Sequence, residues 1–455
     1  MFYCIIKPMK RLVDLYFSDW RKNPDRKPLL LRGARQVGKT YAVRNLGLSF
    51  EQFVEINFEQ QPKVASVFEP DLDAQRIIRD LGILFKKPIL PGKTLLFFDE
   101  IQAAPKATTA LRYLHEQMPG LHVIAAGSLL EFQLESTGLP VGRIQSLFMY
   151  PVSFLEFLAA RGETAAIRFF FEAGETFSLS TAVHAKLLAL WGEYMAVGGM
   201  PEAVRIWCER RSFDAASLVM RSIMETYRQD FEKYAKGGRA RYLPLLFERT
   251  PWLQGRKFKF THVSDSLKKR ELAPALDLLV KAGIVHKVIH SAAQGLPLGA
   301  QADAGRFKLL FVDVGLGQTM LGPGQEGWII DPVQACINKG GSTEAFAGQE
   351  LMAYAGPDMR STLHYWLREA RSSNAEVDYV TPLDGQAIPV EIKSGATGSL
   401  KSLHLFLAEH PASAYGIRLF AGMPEIKDPV RSYPLYCTPL LFLKPQVLGG
   451  FIAAL

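Results

Sequence analysis

One run constrains this chain more than any other: Leu29-Leu-Leu-Arg-Gly33-Ala-Arg-Gln-Val-Gly38-Lys39-Thr40. Three apolar residues lead into a glycine-rich turn, and Lys-Thr opens the next element. This is the P-loop pattern GxxxxGK[ST] in its required order of strand, loop and helix. Gly33 and Gly38 let the backbone close around phosphate oxygens where a Cβ would clash. The amides of Ala34, Arg35, Gln36 and Val37, together with the positive end of the following helix, are placed to face an anion. Lys39 would set its charge on the β- and γ-phosphates, and Thr40 its hydroxyl on Mg²⁺. The expectation is an α/β nucleotide-binding core that takes ATP and Mg²⁺.

A second stretch supports the first. Thr94-Leu-Leu-Phe-Phe-Asp99-Glu100-Ile-Gln102 reads as a buried parallel strand with carboxylates at its C-terminal edge, the Walker B pattern. Asp99 would hold the Mg²⁺ shell, and Glu100 would orient and polarise the attacking water. Pro105–Met118 reads as a helix, and Leu121–Ala126 as another apolar strand ending in Gly127-Ser128. In ATPases with such an acidic pair this strand lies between the first two. Ser128 is then a candidate for touching the γ-phosphate or the lytic water, against a plain turn serine. Arg143, after a loop with Gly138 and Pro140, is a candidate γ-phosphate clamp in its own subunit or a neighbour's, against a solvated surface arginine.

The stretches GARQVGKT, LLFFDEIQ, AAGSLLEF, GRIQSLFMYPVSFLEF and VGGMPEAV together resemble a family of bacterial and archaeal ATPases. The likeness extends over most of the chain. The first two stretches belong to ATPases at large, whereas GR…PVSFLEF and GGMPE point to this family. The resemblance implies a AAA-like P-loop module, then a winged helix, then a restriction-endonuclease-like domain of unassigned role.

The 455 residues suggest two to four domains, and 48% apolar residues supply several cores. The expected division is a AAA-like core over 1–155, a helical lid over 156–235, a winged helix over 236–320 and a nuclease-like domain over 330–455, with Gly322–Asp331 as linker. Residues 151–235 read as helices broken at Gly198-Gly199-Met200-Pro201, either a hinge over the nucleotide or a plain interhelical turn. Arg256, Lys257, Lys259, Lys268, Lys269 and Arg270 face one acid, Asp265, and Ser264 or Asp265 is a candidate cap for the helix that follows. Helix, turn, helix, strand is a winged-helix order, which often places basic residues on DNA phosphates. The bland alternative is a structural bridge with solvated lysines.

In the last region Asp378, twelve residues, then Glu391-Ile-Lys393 has the spacing of the PD-(D/E)xK nuclease core. Alternation puts Glu391 and Lys393 on one strand face, and a hairpin brings Asp378 beside them. Glu344, on a preceding helix with a Ser/Thr cap, completes the acidic cluster. Asp378, Glu391 and Glu344 would bind Mg²⁺ or Mn²⁺, and Lys393 would stabilise charge or assist the nucleophile. The alternative keeps that fold and uses its face only for binding.

Composition narrows the setting. A formal net charge of +8 permits an acidic partner without demanding one. Four scattered cysteines without a C-x-x-C pair argue against a metal cage or a disulfide framework. No stretch of about 18 uncharged apolar residues occurs, so no membrane span is expected and the chain reads as cytoplasmic. The leading expectation is an ATP-binding, ATP-hydrolysing protein acting on DNA, with nucleotide state controlling a metal-dependent nuclease-like domain and with a homo-oligomer as one option. The rivals are a nucleotide-switched regulator without cleavage, and an ATPase motor whose last domain mediates self-association.

Overall fold

The computed structural model describes residues 9–127, 142–172, 178–234, 241–369, 374–395 and 399–455. The chain forms two compact units, Met1–Tyr150 with Gly356–Arg360, and Pro151–Ala355 with Ser361–Leu455.

In the first unit β1 (Leu29–Arg32), β2 (Gln52–Asn57), β3 (Thr94–Asp99), β4 (His122–Ala126) and β5 (Gln145–Phe148) form a parallel sheet in the order β2-β3-β4-β1-β5. β4 therefore lies between β3 and β1, as the acidic pair implied. Every residue of β3 and β4 is buried, which fits strands covered by helices on both faces. The helices Ala74–Phe85 and Pro105–Gln117 bury Ile77, Leu81, Leu111 and Leu114 against Val54, Ile56, Leu96 and Phe98. Because all strands run the same way, the turns after β1 and β3 open at one edge, and the P-loop and the acidic pair emerge there together. Residues Gly356–Arg360 return to this unit, where the Pro357 carbonyl accepts from the Phe148 amide at 2.7 Å.

The second unit opens with the helices Phe154–Ala160, Thr164–Glu172, Thr181–Val197, Pro201–Arg210 and Phe213–Tyr234. It closes on an eight-stranded mixed sheet made of β6 (Val285–Ser291), β7 (Ala302–Phe311), β8 (Leu363–Glu369), β9 (Asn374–Leu383), β10 (Gln386–Lys393), β11 (Gly416–Phe420), β12 (Glu425–Lys427) and β13 (Val430–Pro434). The order is β12-β13-β11-β10-β9-β8-β6-β7. The β6–β7 hairpin, which sequence order placed in a separate winged helix, pairs through β6 with β8 and so extends the sheet of the last region. The stretch read as a linker is packed as well. Trp328 is fully buried edge-on against Trp191, and Gln325 Nε2 donates to the carbonyls of Ala196 (3.2 Å) and Gly315 (3.0 Å).

Two expected helix caps differ. Neither Ser264 nor Asp265 caps the Lys269–Lys281 helix. Lys268 stands at the cap, and Glu271 reaches back to its amide at 2.9 Å. The Gly340–Tyr354 helix starts one turn earlier than a Ser/Thr cap would set it, so Ser342 and Thr343 lie inside it. Among the described residues no single helix is long and apolar enough to cross a membrane.

A buried polar knot joins the motifs that the sequence left without a role. Glu350, on the Gly340–Tyr354 helix, is fully buried and accepts the Phe154 amide on both oxygens, at 3.0 and 3.1 Å. The hydroxyls of Tyr354 (2.5 Å), Tyr194 (3.3 Å) and Thr438 (3.5 Å) converge on the same carboxyl. Asp313, also fully buried, accepts the Gly199 amide at 2.6 Å and the Leu316 amide at 2.9 Å. The Gly199 carbonyl in turn accepts from the Val152 amide at 2.7 Å, and a Cβ on Gly199 would stand 2.2 Å from the Val152 carbonyl. The Gly-Gly break is thus an interhelical turn locked from two sides.

Truncating Glu350 to Ala orphans these donors, and we expect a loss of about 3 kcal/mol in urea unfolding. Burial pushes Glu350 up to about 8, against the pull of its donors. The folded protein then keeps a proton that the unfolded chain releases near about pH 4.3, so this group's stabilisation is present at low pH and is lost as pH rises through about 8. A Glu350→Gln variant should show a flatter fall of the urea midpoint between about pH 5 and about pH 9 than the wild type.

Candidate functional site

The P-loop has the backbone its glycines predict. Gly33 adopts φ +139°, and a Cβ there would lie 2.2 Å from the Met149 carbonyl oxygen. Gly38 adopts φ +94° and caps the helix Lys39–Gly47. Gln36 is left-handed as well, at φ 65°, a strain that sequence reading did not foresee. Lys39 is buried, and its Nζ donates to the carbonyls of Gly33 and Ala34, each at 2.9 Å. Burial brings its ammonium down to about 8, partly countered by Glu100 and Asp99. A buried cation that, among the described residues, holds two carbonyls and no anion is suited to take one.

Across from it Thr40 Oγ1 donates to Asp99 Oδ2 at 3.1 Å. Asn57 stands opposite Asp99 in the β2–β3 register, and its Nδ2 lies 3.5 Å from the same oxygen. Burial and then the neighbouring Glu100 raise the Asp99 carboxyl. Glu100 takes a left-handed turn at φ 48°, and Gln102 Nε2 donates to its Oε2 at 2.5 Å. Lys39, Thr40, Asp99 and Glu100 thus share one edge of the sheet. Asn57 and Gln102 belong with them, and only the strand register could have named Asn57.

Arg143 is elsewhere. Gln145 pairs with Leu29, so Arg143 precedes the N-terminal end of β5, at the sheet edge opposite the P-loop. Its Nε donates to Glu116 Oε1 at 2.9 Å. It therefore does not join Lys39 and Asp99 within its own chain. Ser128 lies outside the described residues.

In the second unit the β9–β10 hairpin pairs Val390 with Tyr379, which sets Asp378 opposite Glu391. Asp378 Oδ2 accepts the Ile392 amide at 2.8 Å, and Lys393 Nζ donates to Glu391 Oε1 at 2.5 Å. Glu344 reaches the group through a residue absent from the motif. Lys308, on β7 and almost fully buried, donates to Glu344 Oε1 at 3.0 Å, pairs with Glu376, and lies 3.6 Å from Asp378 Oδ1. Its ammonium also stands 5.2 Å from the centre of the Tyr365 ring. Burial opposes the Lys308 charge, but Glu344, Asp378 and Glu376 outweigh it and hold the ammonium well above an ordinary lysine. Burial likewise pushes Glu391 up, with Asp378 adding to it and Lys393 opposing.

This arrangement does not fit the metal site expected of Glu344, Asp378 and Glu391. A divalent cation needs several carboxylate oxygens converging at about 2.0–2.6 Å on one point. Here the Lys308 ammonium stands between the Glu344 and Asp378 oxygens, and among the described residues no three His, Cys, Asp or Glu side chains are placed to hold a metal.

Residues 25–158 match an AAA domain. The first unit carries a AAA-like P-loop ATPase domain. Such ATPases use ATP and Mg²⁺, and the cradle and the Thr40–Asp99 pair fit both. Residues 188–326 and 339–433 match two domains of unknown function, DUF8612 and DUF4143. No curated protein matches the chain. Among solved structures, the Walker-type ATPase paby2304 of Pyrococcus abyssi is similar at 13% identity and TM-score 0.45, over 69% of this chain and 96% of that one. Aeropyrum pernix ORC1, solved in complex with DNA, has 13% identity and TM-score 0.27 over 73% and 96% of the two chains. Caenorhabditis elegans PCH-2 has 12% identity and TM-score 0.28 over 47% and 67%. Likenesses this distant say nothing of substrate or partner.

If the Lys308 ammonium stands in for a metal, Lys308→Met leaves Glu344, Glu376 and Asp378 without a cation. We expect that variant to lose about 3–5 kcal/mol in EDTA. Mn²⁺ should raise its unfolding midpoint and leave that of the wild type unmoved.

Proposed function

We propose that the chain is a Mg²⁺-ATP-hydrolysing switch that acts on DNA, and that its C-terminal carboxylate–lysine cluster binds rather than cuts. The buried Lys39, held among the described residues by two carbonyls at the opening of a glycine cradle, carries the reading. Bound Mg²⁺-ATP supplies a polarised γ-phosphate and a leaving group. Lys39 would hold the β- and γ-phosphates, Thr40 and Asp99 would hold the metal, and Glu100 would orient water and accept its proton, with Gln102 fixing the carboxylate. Asn57, beside Asp99, is suited to position the same water.

DNA as partner is supported by the exposure of Arg256, Lys259, Lys268, Lys269 and Arg270. Lys268-Lys269-Arg270 stand at the start of the Lys269–Lys281 helix, where the helix dipole repels cations and a phosphate would relieve the crowding. The non-cleaving reading of the C-terminal cluster is supported by Lys308, whose charge meets Glu344 and Asp378, acids that cleavage would need for a metal. One observation favours the cleaving alternative: among the described residues Glu391 Oε2 is buried without a hydrogen-bond partner, beside Asp378.

Three measurements test the reading. Lys39→Ala should abolish ATP binding, whereas Glu100→Gln should keep binding and slow hydrolysis by about 10²-fold or more. DNA affinity should fall with salt, and the triple variant Lys268→Ala, Lys269→Ala, Arg270→Ala should lower the log–log slope by about 2 to 3. Strand cleavage of a mixed DNA panel with Mn²⁺ should be absent in wild type. Cleavage lost on Lys393→Ala would overturn the binding role.

A further inference from the structure

Arg11 lies outside every motif, 22 residues before the first P-loop glycine, and is nearly fully buried. Among the described residues its guanidinium reaches the Val37 and Tyr150 carbonyls. Nη1 donates to the Val37 carbonyl at 3.0 Å, and Nη2 donates to the Tyr150 carbonyl at 2.8 Å. Its own amide donates to Asp14 Oδ2 at 2.9 Å, which ties the residue to the first turn of the helix Val13–Lys22. A long, flexible side chain is therefore fixed at both ends.

The Val37 carbonyl matters because it shares a peptide plane with the Gly38 amide. In a planar trans peptide the carbonyl oxygen and the next N–H point in opposite directions. Pulling the Val37 oxygen toward Arg11 turns the Gly38 N–H the other way, away from Arg11. Gly38 is the residue before Lys39, and its φ of +94° requires this peptide plane to be held rather than left to local preference. The second arm holds the loop's other wall. Tyr150 comes directly after Met149, whose amide donates to the Arg32 carbonyl at 2.8 Å and whose carbonyl oxygen faces Gly33. Tyr150 is also the last residue of the first unit before the chain passes to Pro151.

We propose that Arg11 is a positioning residue for nucleotide binding: one planar fork fixes the Val37–Gly38 peptide against the Tyr150 strand end, so that the Gly38 amide meets the β-phosphate. Lysine cannot do this work, since a single ammonium on a flexible stem lacks the fork that spans two fixed carbonyls. The proposal deepens the ATPase reading above and rests on it.

The test compares wild type, Arg11→Lys and Arg11→Gln in the full chain, measuring unfolding midpoint and dissociation constants for ATP, ADP and AMP. AMP lacks the β-phosphate, so it reports general damage to the pocket. The expected result is about a tenfold weaker ATP and ADP affinity in both variants, the scale of one lost charged hydrogen bond, with AMP affinity unchanged. In steady-state hydrolysis KM should rise more than kcat falls. Wild-type ADP affinity in a folded Arg11→Lys protein would overturn the proposal, and so would equal weakening of AMP and ADP. Should Arg11→Gln fail to fold, Arg11→Lys decides alone. Absence of nucleotide binding by the wild type would sink the ATPase reading instead, a different result from any of these.

Discussion

A lysine ammonium cannot be buried without oxygen around it, and this chain meets that constraint in two opposite ways. Lys39 is closed in by the Gly33 and Ala34 carbonyls, with no carboxylate in ion-pair contact among the described residues. Burial weakens its charge, so a phosphate arriving there gains a cation whose desolvation is already complete. Lys308 is buried just as deeply, yet it is surrounded by Glu344, Glu376 and Asp378. Its charge is spent within the fold. One site is electrically open and the other closed, and that difference separates the two halves of the functional reading.

The architecture behind each site follows from strand direction. In the first unit five parallel strands bring their C-terminal ends to one edge, so a loop after β1 and acids after β3 must meet. In the second unit a hairpin brings Asp378 and Glu391 together, while Lys308 arrives from β7 at the edge of the same sheet. Joining β6 to β8 is what makes that arrival possible. Had the β6–β7 hairpin stood apart as a free wing, the acids would have lacked their cation and a metal would have been the natural substitute. The pairing that blurs the expected domain boundary therefore also changes the chemistry of the cluster.

These distinctions explain what the sequence could and could not disclose. The P-loop and the acidic pair were legible because their chemistry is local: a turn, a cap and two adjacent carboxylates need no knowledge of the fold. Asp378 opposite Glu391 was legible because a tight turn at Asp384-Gly385, both with positive φ, fixes the register by counting. Lys308 was not, because it precedes Glu344 by 36 residues and reaches it only through a parallel pairing that no periodicity encodes. Arg143 could not be placed within its own chain from sequence, because proximity to a motif says little about which sheet edge a residue occupies. Glu350 left a faint signal, an acid set among Ala, Phe, Gly, Leu and Met, the composition of a helix with no solvent face.

The polar knot adds a mechanical consequence. The chain passes between its two units at Tyr150–Pro151, Ala355–Gly356 and Arg360–Ser361. Within the second unit Glu350 and Tyr354 lie just before one passage, and the amides of Phe154 and Leu155, which they accept at 3.0 and 3.3 Å, lie just after another. A buried carboxyl with several donors has one geometry of low energy, because any slip strands a donor without water to replace the acceptor. Within the second unit the Phe154–Leu155 turn and the end of the Gly340–Tyr354 helix are therefore held together. In the first unit the Tyr150 carbonyl is gripped by Arg11, whose other arm holds the P-loop. A change at the phosphate cradle that moves the Val37 carbonyl must move Tyr150 or break the fork.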